Sequence, residues 1–394
     1  MTRFSPTSLD ELRDAVATAL AAEEPLELIA GGSKRGLGRP LQVPHTLDLS
    51  GLTGVREYQP SELVLTAGAA TPLDEIEALL AENGQMLAFE PPDWRALLGA
   101  EVTRPTLGGT IACNLAGPRR IKAGAARDHF LGFRGVSGRG EIFKAGGKVV
   151  KNVTGYDLCK LMAGSYGTLT ALEEVSIKVL PRPEAVATVL FRDVPPTLAT
   201  GLMAAVLGSP HEVSGAAYLP PGLALPIGVA VRVEGPAPSV ASRRDSLVRE
   251  FGDAGAAETL GDDESIALWR SIGAAGPVSG LDGRTVWRVS VAPSRGAGLA
   301  EAVARRIDAA WFLDWGGGLV WLAVPETGDG GAAVIRGAVG GEGHATLIRG
   351  GPGLRRGTAV FEPEPAGLAA LARRVKDGFD PRHILNPGRM VDGV

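Results

Sequence analysis

The chain has 394 residues, 45% of them hydrophobic and 21% charged, which gives room for two or three compact units and excludes a disordered chain or a coiled coil. Its 40 basic and 44 acidic side chains leave a net charge of −4, so no basic field exists to hold nucleic acid or an anionic membrane. Glycine is the outlier, with 55 residues where ~7% is usual; the clusters follow no three-residue repeat, which excludes collagen and points to backbone brought close to a ligand.

Ser8 and Glu11 have the spacing of a capping box, and Leu9, Leu12, Val16 and Leu20 follow at helical intervals, which predicts a helix over residues 9–23. Residues 26–30 read as a strand emptying into Gly31-Gly32-Ser33-Lys34-Arg35-Gly36-Leu37-Gly38. A second strand at 63–66 leads through a turn to a helix opened by Thr71 and Pro72, with Leu73, Ile76 and Leu80 on one face. These short alternating pieces predict an α+β unit. Residues 107–181 are the richest in glycine and end in a strand closed by Pro181-Arg182-Pro183, a boundary signal. Beyond it, strand patterns at 216–219, 228–233, 286–291, 319–324 and 345–348 alternate with helical ones at 240–251, 299–310 and 332–339. This predicts one antiparallel sheet with helices on one face, a split βαβ arrangement. A last helix over 366–376 precedes a turn-rich tail from Asp380 to Arg389.

The first 25 residues lack the basic-then-apolar pattern of a leader, and no run of about 18 apolar residues occurs, so no membrane span is expected. Cys113 and Cys159 are too far apart for a CxxC site, and two cysteines in a chain this long fit a reducing cytoplasm.

Three segments carry candidate chemistry. In 31–38, successive backbone N–H groups can converge on an anion, with Lys34 and Arg35 supplying charge; the pattern is neither a Walker A loop nor GxGxxG, and a plain surface turn reads equally well. The small residues of 107–117 suit packing against a planar ligand, or a tight helix–strand junction. In 155–169, Asp157 can cap a short helix and Gly164 to Thr168 form another small-residue turn before a strand, fit for a nucleotide diphosphate.

In this order the three are specific. Residues 5–183 resemble the FAD-binding domain of the vanillyl-alcohol oxidase/PCMH flavoprotein superfamily. The phrases Cys113-Asn114-Leu115-Ala116-Gly117-Pro118-Arg119-Arg120, Lys151-Asn152-Val153-Thr154-Gly155-Tyr156-Asp157-Leu158 and Gly164-Ser165-Tyr166-Gly167-Thr168-Leu169 resemble the FAD-binding subunits of bacterial glycolate oxidases, the GlcE type. The tail from Asp380-Pro381 to Asn386-Pro387-Gly388 is similar to this superfamily's closing segment, so the resemblance spans nearly the whole chain.

The resemblance implies an α+β fold: a PCMH-type FAD-binding domain of two subdomains over 1–183 (about 1–52 and 53–183), a ferredoxin-like antiparallel cap domain over 184–350, and a segment 351–394 returning to the FAD domain. It implies that Gly31, Gly32, Ser33, Lys34 and Arg35 cradle the FAD pyrophosphate. Pro91, Leu107, Gly108, Gly109, Thr110 and Asn114 would line the cofactor toward its rings; Gly164, Gly167 and Thr168 continue the pocket, Ile177 meets the adenine side through its backbone, and Asn386 in the closing segment completes the set. Family members that attach flavin covalently use a histidine in the first loop. Ser33 stands in a loop without one, so FAD is expected to be held non-covalently.

Oxidising a 2-hydroxy acid needs a hydride acceptor, a base for the hydroxyl proton and a cation for the carboxylate. Related dehydrogenases supply the base from a His-x-Gly-Asp-Gly-Asn-x-His stretch, which by strand order matches Asp314-Trp315-Gly316-Gly317-Gly318-Leu319-Val320-Trp321, without either histidine. Of the five histidines, His344 at the entry to a strand is the candidate base, and Arg288 and Arg270 are candidates for the carboxylate, each with a packing role as the competing reading. No metal site is visible.

The implied function is therefore the FAD-binding subunit of a glycolate oxidase-type complex, cytoplasmic and peripheral to the inner membrane only through partners. The hydride step would fall to a catalytic FAD subunit and the electrons to an iron–sulfur subunit, since two cysteines cannot ligate a cluster. The alternatives are a free-standing FAD-dependent 2-hydroxy-acid dehydrogenase and a scaffold paralogue without FAD.

Overall fold

A computed structural model describes residues 2–147, 156–223 and 228–392. The Lys151 to Gly155 part of the second phrase above lies outside them.

The first helix forms at Leu9–Ala22 because Ser8 stays extended and its hydroxyl accepts from the Glu11 N–H (3.2 Å). Glu11 reaches one residue further back than a capping box requires, accepting from the Thr7 N–H at 2.7 Å. This helix covers a parallel three-stranded sheet of Thr2–Phe4, His45–Asp48 and Leu26–Ile29, in that order. The buried side chains Leu12, Val16, Leu26 and Leu47 seal the contact, and Ile384 and Leu385 from the far end of the chain join them.

A five-stranded antiparallel sheet follows, ordered Val55–Gln59, Val64–Gly68, Thr170–Lys178, Phe130–Ser137 and Ile142–Gly146. The helix Leu73–Glu82 lays Leu73, Ile76 and Leu80 on its core, the face that the sequence spacing predicts.

Beyond Pro183 the described residues build an eight-stranded antiparallel sheet, wider than one split βαβ unit. It consists of two βαββαβ units side by side. The first comprises Ala185–Arg192, helix Pro196–Leu207, Gly215–Leu219, Gly228–Gly235, helix Ala237–Phe251 and Ala256–Leu260, with its four strands ordered 4-1-3-2. The second comprises Arg284–Val291, helix Gly296–Ala304, Ala310–Asp314, Leu319–Pro325, helix Ala332–Val339 and Gly343–Arg349, ordered 2-3-1-4. They meet where Tyr218 pairs with Leu313. Each half has the ferredoxin-like strand order.

The period of two divides the side chains of this sheet between two cores. Val189, Phe191, Trp287 and Val289 face the four helices. Leu190, Val286, Phe312 and Trp321 face the other way, onto Leu37, Trp94, Leu97 and Leu115 from the first half of the chain and onto helix Asp262–Gly273. That second face brings the large sheet to the glycine-rich segments.

The chain ends by returning to its beginning. After helix Ala366–Phe379, the Leu26 N–H donates to the Ile384 carbonyl (2.7 Å) and the Asn386 N–H to the Leu26 carbonyl (3.0 Å). Lys376 is the anchor: its buried ammonium donates to Asp380 (2.6 Å) and to the carbonyls of Thr168 (2.7 Å) and Leu385 (2.9 Å).

Candidate cofactor-binding site

The strand Leu26–Ile29 releases the chain into the first glycine loop beside Arg104, whose N–H donates to the Gly31 carbonyl (3.3 Å). A Cβ on Gly31 would lie 1.8 Å from the Arg104 carbonyl oxygen, so only glycine permits this approach, and Gly32 turns at φ +78°. The second glycine segment forms the short helix Leu107–Ala112, capped by the Thr106 hydroxyl, which accepts from the Gly109 N–H (3.3 Å). Its Gly108 packs against Ala69, and the bare face of Gly109 looks toward Lys34. The third turn carries Gly164 and Gly167 at φ +86° and +71°.

Together these segments bound a groove with about 860 Å³ of space free of atoms, partly open to solvent. Gly31, Gly32, Ser33, Lys34, Arg35, Gly108, Gly109, Gly167 and Asn386 all line it. Its backbone is strained: Tyr166 and Asn386 take φ of +54° and +44°, a region that costs non-glycine residues energy. Asn386 locks two walls together, its side-chain oxygen accepting from the Leu28 N–H and its amide donating to the Tyr166 carbonyl, both at 2.8 Å.

The two cations of the first loop have different fates. Arg35 is committed to Glu27, at 2.6 and 2.9 Å. Lys34 is half-buried in the groove wall and donates only to the Ser33 hydroxyl (3.2 Å), without a salt bridge among the described residues. Burial lowers its pKa from the usual lysine value, against the smaller opposing fields of Cys113 and Asp93. Arg389 braces the loop from behind by donating to the Arg35 and Leu37 carbonyls (3.1 and 3.2 Å).

Other candidates lie off the groove wall. Leu107 and Ile177 are core residues with no exposed surface, and Thr110 is buried with a hydroxyl that finds no partner among the described residues. Asn114 accepts from the Arg127 N–H (3.0 Å), Gly164 turns beside the Asn114 Cβ, and Thr168 donates its hydroxyl to the Ser165 carbonyl (2.7 Å). Pro91 and Arg270 line a different, larger cleft that also holds Asp74, Glu77 and Arg104. The helix Asp262–Gly273 carries Arg270 on its exposed face, so the structure separates it from Arg288.

Arg288 and His344 do come together. Arg288 stands opposite Thr346 and His344 opposite Ser290 on adjacent strands, which puts both on the sheet face turned toward the glycine segments. Four of the five histidines are engaged: His129 with the Ala123 carbonyl, His45 with Glu24, His211 with Glu250 and His383 with Asp377. Among the described residues the His344 imidazole has no hydrogen-bond partner; it stands at the exposed edge of the strand, its pKa lowered by desolvation and by the charge of Arg288.

The glycines at 316–318 are explained by packing. Gly316 and Gly317 turn at φ +65° and +100°, and a Cβ would meet Leu207 at 2.5 Å or the Pro293 carbonyl oxygen at 2.6 Å. Asp314 is buried, accepts from the Trp315 N–H (2.6 Å), and is pushed up to about 7 by burial.

Sequence reasoning missed two neighbours of Arg288. The Arg120 guanidinium lies 4.2 Å from the centroid of the Trp315 ring, and that of Arg288 lies 4.8 Å from the same ring. The indole N–H is fixed by the Gly117 carbonyl (3.1 Å). Tyr166, on the groove wall, is close enough for its phenol to feel the charge of Arg288. Arg120 ends one of the phrases quoted above and Tyr166 sits in another, but nothing in the sequence joins them to residue 315.

Comparison with known proteins is consistent with this geometry. A family model described as an FAD binding domain matches residues 3–146. The glycolate oxidase subunit GlcE of Escherichia coli (strain K12) is 37% identical over 380 residues, 96% of each chain. A D-lactate dehydrogenase of Archaeoglobus fulgidus is 34% identical over 32% of this chain and 26% of its own. Among solved structures, a 4-ethylphenol oxidase from Gulosibacter chungangensis superposes with a TM-score of 0.72 at 15% identity, covering 98% of this chain and 88% of that one, a likeness of fold.

Proposed function

Since the chain belongs to the family of the glycolate oxidase subunit GlcE, a family of FAD-binding oxidoreductases, we propose that it is the FAD-binding subunit of a complex that oxidises small 2-hydroxy acids such as glycolate or D-lactate to 2-oxo acids. The observation that carries this reading is the groove. Three glycine segments expose backbone along it, and a half-buried lysine without a salt bridge among the described residues stands in its wall.

The residues present fit FAD. A diphosphate supplies the negative charge that Lys34 lacks, and N–H groups of the Gly31 to Arg35 loop can turn to it without a Cβ in the way. The bare face of Gly109 leaves room beside Lys34, where any larger side chain would project into the groove. The first glycine loop offers Ser33 and no histidine, so the residue that would carry a covalent flavin link there is missing, and FAD is read as held non-covalently.

When bound, FAD would supply the complex with a two-electron redox centre. The chain's own part is to exclude water and to orient. Cys113 and Tyr166 line the groove, and burial raises the Cys113 thiol to about 11, so it stays protonated and inert at neutral pH. Onward electron transfer is assigned to an iron–sulfur partner, as the resemblance to glycolate oxidase subunits implies; two cysteines are too few to ligate such a cluster in this chain.

The deciding experiment is the visible spectrum of the protein purified alone and then with a co-purified partner, before and after anaerobic glycolate. Flavin absorbance in the isolated chain, bleached by glycolate only with the partner, is the expected result. Bleaching of the isolated chain would make it a free-standing dehydrogenase, and a colourless protein that FAD cannot reconstitute would make it a scaffold.

A further inference from the structure

Most arginines near the junction between the glycine segments and the large sheet are neutralised. Arg119 is paired with Glu234 at 2.6 Å, Arg232 with Glu90 at 2.8 Å and Arg35 with Glu27 at 2.6 Å. Arg120 and Arg288 are the exception. Among the described residues neither guanidinium forms a hydrogen bond or an ion pair; their close partner is the Trp315 ring they share. The Nε of Arg288 is buried without a partner, a state that costs a folded protein free energy unless a ligand supplies the missing acceptor. Asp314 is the acid whose field reaches Arg288, and its carboxylate is already taken up by the Trp315 N–H.

Resting on the reading of the chain as a 2-hydroxy-acid oxidase subunit, we propose that Arg120 and Arg288 together bind the substrate carboxylate, beside the part of the groove wall that Cys113 and Tyr166 line. The two guanidiniums come from opposite sides of the junction, Arg120 from the turn after the second glycine segment and Arg288 from the strand Arg284–Val291. Trp315 holds both in place through its ring, and its own orientation is fixed by the Gly117 carbonyl. A planar guanidinium offers two parallel N–H donors to a carboxylate, the acceptor that an unpaired fork lacks. Tyr166 links the pair to the groove, since it lines the groove and packs against the core cluster that holds Trp315. On this inference the chain recognises the substrate acid itself, rather than holding FAD for a partner that does.

The test is titration calorimetry on the FAD-loaded protein, with glycolate and with its uncharged amide, glycolamide, while flavin absorbance is read separately. Glycolate is expected to bind at least about tenfold more tightly than glycolamide, the difference one charge-assisted contact makes. Arg120→Gln and Arg288→Gln should each weaken glycolate by about tenfold or more with flavin content unchanged. Equal binding of the two probes, absence of glycolate binding to the wild type, or unaltered affinity in both variants would overturn the inference. The glycolate–glycolamide comparison needs no variant, so it decides even if the substitutions fail to fold. Loss of the FAD reading would show instead as a protein without flavin absorbance, whatever the titrations give.

Discussion

The cofactor groove and the turn at 316–318 spend the same residue on opposite ends. In the groove, Gly109 has only soft neighbours, Thr106 and Lys34, and what its missing side chain leaves is space for a ligand. At Gly317 the missing side chain leaves nothing, because the Pro293 carbonyl already fills it, and Gly296 is pressed in turn against the Gly317 carbonyl. Glycine content therefore marks two things, a groove surface kept bare, which the proposed function gives to a cofactor, and a joint where helices close on a turn; only the distances around each missing Cβ tell them apart.

The largest expected effect breaks the comparison at the groove. Gly109→Val places two methyl groups toward Lys34 without a backbone clash, since the nearest atoms to its Cβ are the Thr106 hydroxyl at 3.1 Å and the Lys34 side chain at 3.7 Å. The variant should fold and lose its flavin, measured as absent absorbance in a protein of near-normal Tm. Flavin retained at the wild-type level would move the cofactor away from this wall.

Next comes the tether that holds the groove closed from the far end of the chain. Lys376→Met leaves Asp380 buried and charged, and removes donors to the Thr168 and Leu385 carbonyls. Breaking a buried pair this way costs about 3–5 kcal/mol, to be read by chemical denaturation. Because the tail also positions Asn386, flavin affinity should fall with stability, which the packing glycines of the other region should not reproduce.

A smaller effect concerns the junction between the two regions. Burial alone would raise Glu234, but the hydrogen bonds from Arg119 and the charges of Arg232 and Arg119 outweigh it and bring its pKa from 4.5 down to about 2. A depressed carboxylate stabilises the fold above its unfolded value and loses that contribution as pH falls through the folded one. Stability should therefore drop between about pH 4.5 and 2, and Glu234→Gln should flatten that acid limb in Tm against pH.

Much of this was legible in the sequence and some was not. The first helix, the strand into 31–38 and the helix opened by Pro72 followed from caps and spacing, because those signals are local. The helical pattern at 299–310 overran a boundary: the helix stops at Ala304, and Ala310–Asp314 is a strand at the centre of the large sheet. The strand Ala256–Leu260 is exposed along nearly all its length, so it shows no alternation to detect. Lys376 looks like an ordinary solvated cation of a basic helix until residues 168 and 385 are brought to it. The meeting of Arg120, Arg288 and Trp315 is likewise made by tertiary structure alone, from three segments that share no local pattern.

The smallest effect sharpens the comparison from its other side. Gly316→Ala puts a Cβ at φ +65°, a conformation that costs an L-residue about 1–2 kcal/mol. The clash it meets is with the Leu207 Cδ1 at 2.5 Å, the far end of a side chain that can rotate away, so little is added to the backbone cost. Denaturation should show that modest loss, while flavin content per folded molecule and its spectrum stay at wild-type values. If Gly316→Ala instead released flavin as Gly109→Val is expected to, the turn would belong to the cofactor site, and the division between glycines that make space and glycines that permit contact would fail where it is drawn.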